Sequence, residues 1–446
     1  YEIIDLSLKA SWKNTHINLY HARSSSDNFY TFEFIANGIN QNRAAITTLS
    51  LKHDFTWSDI TSWVWMSYSR SGSGASGQFT GVGELAGEGV SVPSSDDPLL
   101  YDFDFNGLYD TRLQWHNDWY FNQEQQFQFG IELRKIQGPA ISVFSNYDIG
   151  ALSDGDFPIA HADDLSIATL IQSESNRDIL GLYGQHQYQI LATSQLTFSL
   201  RFDKFSGVGS QLSPRLGLVH ELNENHNIKL IYGSAFRAPT ENELNLQSNN
   251  TLLGNLNLKP ETVQNIDLIW VAQWSSSAMS LGYFESHFNN SIVQVSVDGS
   301  ASQYQNIKVE PVKGFEFELT HYLSDAWMYG ASYTHTLENS DLSAREANYL
   351  ASFLLNYQLN KFNANLVVTY HGERTMPVDA TNNLKLNHYW QFFGKLNYQF
   401  NGQWQGFVQV KNILDKQYLT PSSDEGLSEG VPNRGREILT GVTLEF

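Results

Sequence analysis

Hydrophobic and polar residues alternate one by one along most of this chain, in segments of about 9 to 14 residues. In one segment, Phe127, Phe129, Ile131 and Leu133 alternate with polar or small residues. The pattern recurs in residues 196–203, 315–320 and 362–370. Helical periodicity is nearly absent. Because successive side chains of a strand point to opposite faces, the sequence predicts an all-β fold whose strands have one apolar and one polar face.

The connections between the predicted strands are alternately short and long. The short ones fall at residues 13–14, 57–59, 118–122, 192–193, 223–225, 275–277, 323–325, 360–361 and 401–403. The long ones include residues 25–43, 71–100, 138–177, 237–261, 372–385 and 415–434. Membrane barrels join their strands by short turns on the periplasmic side and longer loops on the other, whereas a soluble sandwich does not. The alternation therefore predicts a transmembrane antiparallel β-barrel with a polar lumen.

Aromatic residues support this choice, because many lie beside the short turns, as in the interfacial girdles of membrane barrels. They are Trp12, Trp57, Trp119, Tyr120, Trp274, Tyr322, Trp327, Phe400 and Trp404. The last segment alternates up to Phe446, which is the type of end that outer-membrane assembly machinery recognises. We count about nineteen strands, whereas bacterial single-chain barrels use even numbers, so we expect an N-terminally truncated barrel.

Composition narrows the function. No apolar run of about 18 residues is present that could cross a bilayer as a helix. The formal charge of −20 argues against a nucleic-acid partner, because phosphate binding needs clustered Lys and Arg. The absence of Cys excludes disulfides, thiolate metal sites and cysteine nucleophiles. We predict no metal site and no cofactor, and only calcium binding by a loop is left open.

Two motifs mark a strand end and the entry to the next strand. The first is Tyr232-Gly-Ser-Ala-Phe-Arg-Ala-Pro-Thr240, with Phe236, Arg237 and Pro239. The second is Asn255-Leu-Asn-Leu-Lys-Pro-Glu-Thr262, with Leu258, Pro260 and Glu261. Proline cannot donate a ladder hydrogen bond, so both prolines indicate a rim where a loop begins or ends. Arg237 and Glu261 are the natural rim charges, and fixing the loop is a better interpretation of them than ligand contact.

A third motif is Val408-Gln-Val-Lys-Asn-Ile-Leu-Asp-Lys-Gln-Tyr418, followed by Gly435 and Arg436 and by the last strand to Phe446. Asn412 and Tyr418 are two residues of this motif that carry a family resemblance. The order and spacing of the three motifs resemble the TonB-dependent receptor family. Leu256 stands where Pro is common in that family, which is a minor departure.

The resemblance implies a twenty-two-stranded barrel in the bacterial outer membrane, of which this chain would carry about the fourth to the last strand. Residues 1–446 would then be one incomplete barrel domain, without the plug and the first strands. Members import scarce nutrients, and a segment before the plug engages the TonB complex. The implied partners are outer-membrane lipid and lipopolysaccharide, TonB through the missing part, and the ligand. We expect a monomer.

The ligand is the least determined part of the prediction. Family members take ferric siderophores, haem, cobalamin or saccharides, and haem receptors typically place a His between the first two motifs, where this chain has none. A ferric siderophore is the default by family frequency. Candidate loop contacts, besides Arg237, lie in the long acidic loop: Tyr147, Asp148, Asp154, Asp156 and His161. Calcium binding by this loop stays open, although its acidic residues lack a regular ligand spacing.

Three other functions remain as alternatives: a plugless diffusion channel, an adhesin and an outer-membrane hydrolase. A hydrolase needs a placed nucleophile or an acid–base pair. His220 and His226 lie two residues too far apart for a zinc motif on one helical face, and their segment is predicted to be a turn. Glu316 and Glu318 share one strand face and are predicted to be solvated lumen charges. We therefore predict that the chain is not an enzyme.

Overall fold

The computed structural model describes residues 2–27, 38–86, 96–247, 252–297, 301–338, 346–377, 383–422 and 429–444. Nineteen long strands follow one another through this part of the chain. They are β1 (Glu2–Trp12), β2 (Thr15–Asp27), β3 (Gln41–Trp57), β4 (Ile60–Gln78), β5 (Leu100–Tyr120), β6 (Gln125–Gly138), β9 (Ser175–Leu191), β10 (Ser194–Phe205), β11 (Gly209–Asn223), β12 (His226–Arg237), β14 (Glu261–Gln273), β15 (Ser277–Asn289), β18 (Val312–Tyr322), β19 (Trp327–Glu338), β20 (Tyr349–Leu359), β21 (Phe362–His371), β24 (Tyr389–Gln399), β25 (Trp404–Lys411) and β28 (Glu437–Leu444).

Shorter elements lie in the connections. The strands among them are β7 (Ile141–Ser145), β8 (Ile167–Gln172), β13 (Leu252–Leu253), β16 (Ser291–Val297), β17 (Ala301–Ile307), β22 (Arg374–Pro377), β23 (Asn383–Leu386), β26 (Leu419–Thr420) and β27 (Val431–Pro432). The two helices are α1 (Ile149–Asp154) and α2 (Glu241–Asn245). Neither helix, nor any other in the described residues, is long and apolar enough to cross a membrane.

Each long strand pairs antiparallel with the next long strand along the chain. The pairing starts with β1 on β2, where Trp12 lies opposite Thr15, and it ends with β25 on β28. Because the long strands pair in the order of the chain, they form an up-and-down meander. The short strands β7 and β8 extend this sheet, with β7 paired to β5 and β8 paired to β7. The predicted all-β antiparallel fold with about nineteen strands is confirmed.

The two faces of the sheet have opposite chemistry. Large apolar side chains such as Leu113, Leu133, Phe198 and Leu216 are 38%, 46%, 47% and 43% exposed. The buried hydrophobic cluster of the described residues is instead small, and it is made by loop residues including Leu85 and Leu99. A water-soluble protein would bury such residues, so the apolar face is suited to lipid.

Short hairpins join the strands at one end of the sheet, where the sequence predicted them. Lys13, Ser58 and Asn360 have φ values of 50°, 54° and 51°, which place them in the left-handed region. Two-residue hairpins need such a residue because their twist must match that of the strands. The turns of residues 13–14, 58–59 and 360–361 are all of this length.

The opposite end differs from the prediction in two places. The predicted loop at residues 71–100 is shorter, because β4 continues to Gln78 and pairs with the start of β5 across an irregularity between Ser71 and Gly72. Serine and glycine carry no period-two hydrophobic signal, so the pattern did not mark this extension. The connection between β10 and β11 is also shorter than the alternation of short and long connections predicts. It has only three residues, with Gly207 at a φ of 75°.

Candidate functional site

One cluster of charges stands where β12 ends. Arg237, the last residue of β12, donates from Nε to Glu261 at 2.5 Å and from Nη1 and Nη2 to Glu243 at 2.8 and 3.0 Å. Glu261, the first residue of β14, also accepts from the backbone N–H of Ile292 at 2.5 Å. These three charged residues, called the rim cluster below, therefore connect two neighbouring barrel strands to helix α2 and strand β16.

Helix α2 begins with a reciprocal cap. The Thr240 hydroxyl accepts from the Glu243 backbone N–H at 3.2 Å, and the Glu243 carboxylate accepts from the Thr240 backbone N–H at 2.7 Å. Burial raises the pKa of Glu243, but the hydrogen bonds from Arg237 and from the Thr240 backbone outweigh burial and hold that pKa below its ordinary value. Glu243 is thus kept ionised by the same contacts that order the helix.

Arg177 extends this support from a strand that sequence analysis did not connect with it. Its guanidinium donates to the carbonyl of the buried Pro239 at 2.7 Å and forms an ion pair with Glu241 at 2.7 Å. Arg177 itself is buried. The signal in the sequence was only that Arg177 closes a long loop, so its partner could not be deduced.

The second motif also has a structural role. Leu258 is 5% exposed. The Asn306 side chain donates to the Lys259 carbonyl at 3.0 Å and accepts from the Lys259 backbone N–H at 2.7 Å, immediately before Pro260. The motif is therefore pinned to strand β17, as expected for a segment that leads the chain back into the barrel wall.

The third motif forms a tight turn after β25. Asn412, with a φ of 49°, accepts from the Lys416 backbone N–H at 2.9 Å and donates to the Lys416 carbonyl at 3.0 Å. The Tyr418 ring stacks on Tyr389 with a centroid distance of 4.0 Å. The Arg436 backbone N–H donates to Asp415 at 2.8 Å.

The two remaining residues of this motif are Gly435 and Phe446. Gly435 has a φ of 79°, and an added Cβ there would lie 3.1 Å from the Asp415 carboxylate. Glycine therefore suits this turn on both counts. Phe446 lies outside the described residues.

The candidate ligand loop has a buried centre and an exposed acidic edge. Tyr147 is fully buried and donates to the Asp97 carbonyl at 2.9 Å, and its ring centroid lies 4.5 Å from that of His161. Asp148 caps α1 by accepting from the Ala151 backbone N–H at 3.0 Å. Tyr147, His161 and Asp148 therefore hold the loop together in this structure, and their part in ligand binding stays a prediction.

Asp154 and Asp156 are exposed at the end of α1, so they are the candidates within the acidic loop that a ligand can reach directly. Within the described residues, no group of three or more His, Asp or Glu side chains is arranged to hold a metal ion. Their ligand role stays a prediction.

A second charge network covers the polar face of β5, β6 and β10. Glu132, 5% exposed, pairs with Arg112 at 2.7 Å and with Arg201 at 3.4 Å. Arg201 also pairs with Asp203, 2% exposed, at 2.6 Å. Buried charges persist only when they are paired, and each of these carboxylates has its guanidinium.

A neighbouring His on the polar face is held from two sides. The His116 ring contacts the Asp118 carboxylate through Nε2 at 3.0 Å and the Tyr183 hydroxyl through Nδ1 at 2.6 Å. It stacks on Trp63 with a centroid distance of 5.0 Å. His116 and Asp118 are two residues apart in β5 and therefore share a face, but their spacing does not show that Tyr183 and Trp63 join them.

The comparison with protein families shows to which family the chain belongs. The model of the family "TonB dependent receptor-like, beta-barrel" matches residues 5–413. The chain belongs to the TonB-dependent receptor family. Members of this family are outer-membrane receptors and transporters, and the exposed apolar face of the sheet is consistent with such a barrel.

Curated relatives of the receptor barrel are distant and differ in substrate. The vitamin B12 transporter BtuB of Vibrio vulnificus (strain CMCP6) is 22% identical over 279 residues, covering 61% of this chain and 42% of the relative. The probable TonB-dependent siderophore receptor PirA of Acinetobacter baumannii (strain ATCC 19606) is 22% identical over 320 residues, covering 59% and 42%. The chain thus spans about two fifths of the length of these relatives.

Solved structures of other receptors share the fold over nearly the whole chain. The siderophore receptor PirA from Acinetobacter baumannii has a TM-score of 0.73 at 18% identity, covering 99% of this chain and 70% of that one. A variant of the ferric enterobactin receptor PfeA from Pseudomonas aeruginosa, solved with enterobactin, has a TM-score of 0.74 at 19% identity, covering 100% and 70%. The copper transporter OprC has 0.72 at 15%, covering 100% and 71%.

Proposed function

We propose that this chain is the barrel domain, residues 1–446, of an outer-membrane receptor that imports a ferric siderophore with energy from TonB. The observation that carries the proposal is the family match over residues 5–413, combined with relatives and structural neighbours named as siderophore receptors. We infer capture by the long loops and by a plug outside this chain. TonB then drives a rearrangement of the plug that opens a path through the lumen. No covalent chemistry takes part.

The rim cluster supports the loop that such capture requires. Arg237, Glu243 and Glu261 order the start of a long connection, and Arg177 adds a second attachment. A ligand loop that is already ordered loses less entropy on binding. We assign the rim cluster to loop support and keep Asp154 and Asp156 as candidate contacts.

Cobalamin is the second candidate, because vitamin B12 transporters stand among the curated relatives at up to 28% identity. The two ligands make different demands on the loops, and the chain's similarity to both kinds of receptor is of the same order. We place the siderophore first because the solved structures that share the fold over nearly the whole of this chain include siderophore receptors.

The test is uptake by a bacterial strain that lacks the gene and is starved of iron. The full-length gene is returned to it, and labelled ferric siderophores and cobalamin are supplied with and without TonB. We expect uptake of one iron chelate that disappears without TonB. Uptake of cobalamin alone would replace the ligand and keep the receptor. Leakage of many small solutes without TonB would instead make the protein a diffusion channel.

A further inference from the structure

The short-turn end of the apolar face carries a repeated pair of side chains. Three times, a Ser or Thr that begins a strand lies directly opposite a His of the neighbouring strand. The pairs are Thr15 with His53, Ser194 with His220, and Ser277 with His321. The three histidines, called the histidine belt below, belong to β3, β11 and β18.

All three pairs use the same imidazole atom. The distance from Nδ1 to the hydroxyl oxygen is 2.8 Å for His53, 2.8 Å for His220 and 2.6 Å for His321. An imidazole has two ring nitrogens, and where Nδ1 accepts from a hydroxyl the neutral ring carries its proton on Nε2. The hydroxyls therefore orient three rings alike, with Nε2 directed away from the hydroxyl.

The belt lies on the face of the sheet that contacts lipid. His53 shares its strand face with Leu49, which is 50% exposed, and His220 shares its face with Leu216, which is 43% exposed. His321 lies six residues from Phe315, also 43% exposed, on the same face. None of the three rings is therefore directed into the lumen.

The depth of the belt is that of the membrane interface. Thr15, Ser194 and Ser277 each follow a short turn directly. Trp12 and Trp274 stand just before two of those turns and are 72% and 41% exposed. Exposed tryptophan beside short turns marks the level of the lipid headgroups.

The belt histidines differ from histidines of the polar face in their charged partners. On the polar face, the Ser11–His16 pair has the same Nδ1 contact, at 2.9 Å, and there Asp54 lies 3.4 Å from Nε2. His116 likewise has Asp118 on its Nε2. Among the described residues, no ion pair involves a belt histidine. The outward nitrogens thus face the headgroup region without a carboxylate.

We propose that the histidine belt binds the phosphate groups of phospholipids in the leaflet at the short-turn end. A phosphate oxygen accepts a hydrogen bond from Nε2, and the bond strengthens when the ring is charged. The acyl chains of the same lipids lie along the exposed apolar face. This proposal rests on the membrane location within the proposed function, and it is independent of which ligand is imported.

The test counts lipids on the full-length receptor. The protein is reconstituted in nanodiscs of phosphatidylglycerol and phosphatidylethanolamine, transferred to mild detergent, and analysed by native mass spectrometry. A triple variant, His53→Phe, His220→Phe and His321→Phe, keeps three interfacial rings and removes their nitrogens. We expect it to retain up to three fewer phospholipids, one for each pair removed.

His16→Phe is the matched control, because it breaks the same kind of pair on the lumen side. It should retain as many phospholipids as the unmodified receptor. Equal retention by the triple variant, or an equal loss in the control, would overturn the proposal. The three single variants serve if the triple variant does not fold, and each should lose one phospholipid. Siderophore uptake is a separate measurement, so the two proposals fail independently.

Discussion

Arg237 shows how one side chain orders a loop. Its guanidinium contacts a helix carboxylate and a strand carboxylate together, and the helix carboxylate also caps its own helix. Because the pKa of Glu243 is held below its ordinary value, the folded loop favours the ionised form. This contribution is complete above the ordinary glutamate pKa and is lost as the pH falls through the lowered one.

A spin label on α2 can measure this effect, since the chain has no Cys and Asn242→Cys gives a single labelling site. We expect a restrained label at pH 7 that becomes mobile once the pH falls below the ordinary glutamate range, through the lowered pKa of Glu243. Arg237→Ala should raise the mobile population about fivefold at pH 7, because the loss of this half-exposed pairing costs about 1 kcal/mol. Arg434→Ala, at a 91% exposed side chain, is the control. If the mobility of the label changed neither with pH nor with Arg237→Ala, the assignment of the rim cluster to loop support would be contradicted.

At the scale of elements, the longest hairpin depends on a glycine. β4 and β5 pair beyond the irregularity at Ser71 and Gly72, and Gly107 beside it has a φ of 113°. An added Cβ there would lie 3.1 Å from the Tyr109 ring. The extension therefore requires both a backbone conformation that L-residues avoid and an empty space next to an aromatic ring.

Gly107→Ala should destabilise the barrel by about 1–3 kcal/mol, through strain at this position. Urea unfolding in lipid vesicles, followed by tryptophan fluorescence, measures the difference. Gly184→Ala is the control, because an added Cβ at Gly184 meets nothing within 4 Å and its φ is ordinary. Equal stability of the two variants would show that the extension does not depend on Gly107.

At the scale of the whole molecule, the two faces of the sheet decide how the protein lies in a membrane. Phe198 and Thr197 are neighbours in β10, yet Phe198 is 47% exposed on the apolar face and Thr197 lies on the polar face. A one-residue step thus moves a side chain from lipid to lumen.

Phe198→Arg should lower the free energy of unfolding from lipid vesicles by about 2–4 kcal/mol, because it places a charge in lipid. Thr197→Arg should change this free energy little, since lumen charges are solvated. Both are measured by denaturant titration of the refolded barrel. If Thr197→Arg were the more damaging variant, the assignment of the faces would be reversed.

The sequence by itself determined the strands, the side of each residue and the short-turn hairpins. These properties are local: period-two alternation fixes the two faces, and turn residues fix the hairpins. The family motifs around Pro239, Pro260 and Asn412 are also short segments, so they could be recognised in the sequence. It also explains the error at residues 71–78, where serine and glycine have no alternation.

Only the tertiary structure decided which strands bring distant side chains together. Arg177 contacts Glu241 and also Pro239, which is 62 positions away in the sequence. Arg201 contacts Glu132, which is 69 positions away. The belt pairs depend on register, which joins Thr15 to His53 over 38 positions. Where a long loop joins two strands, as it joins β2 and β3, the register arises from hydrogen bonding and packing along the sheet, so no turn residue encodes it. For the same reason, the burial of Tyr147 inside its loop was visible only in three dimensions.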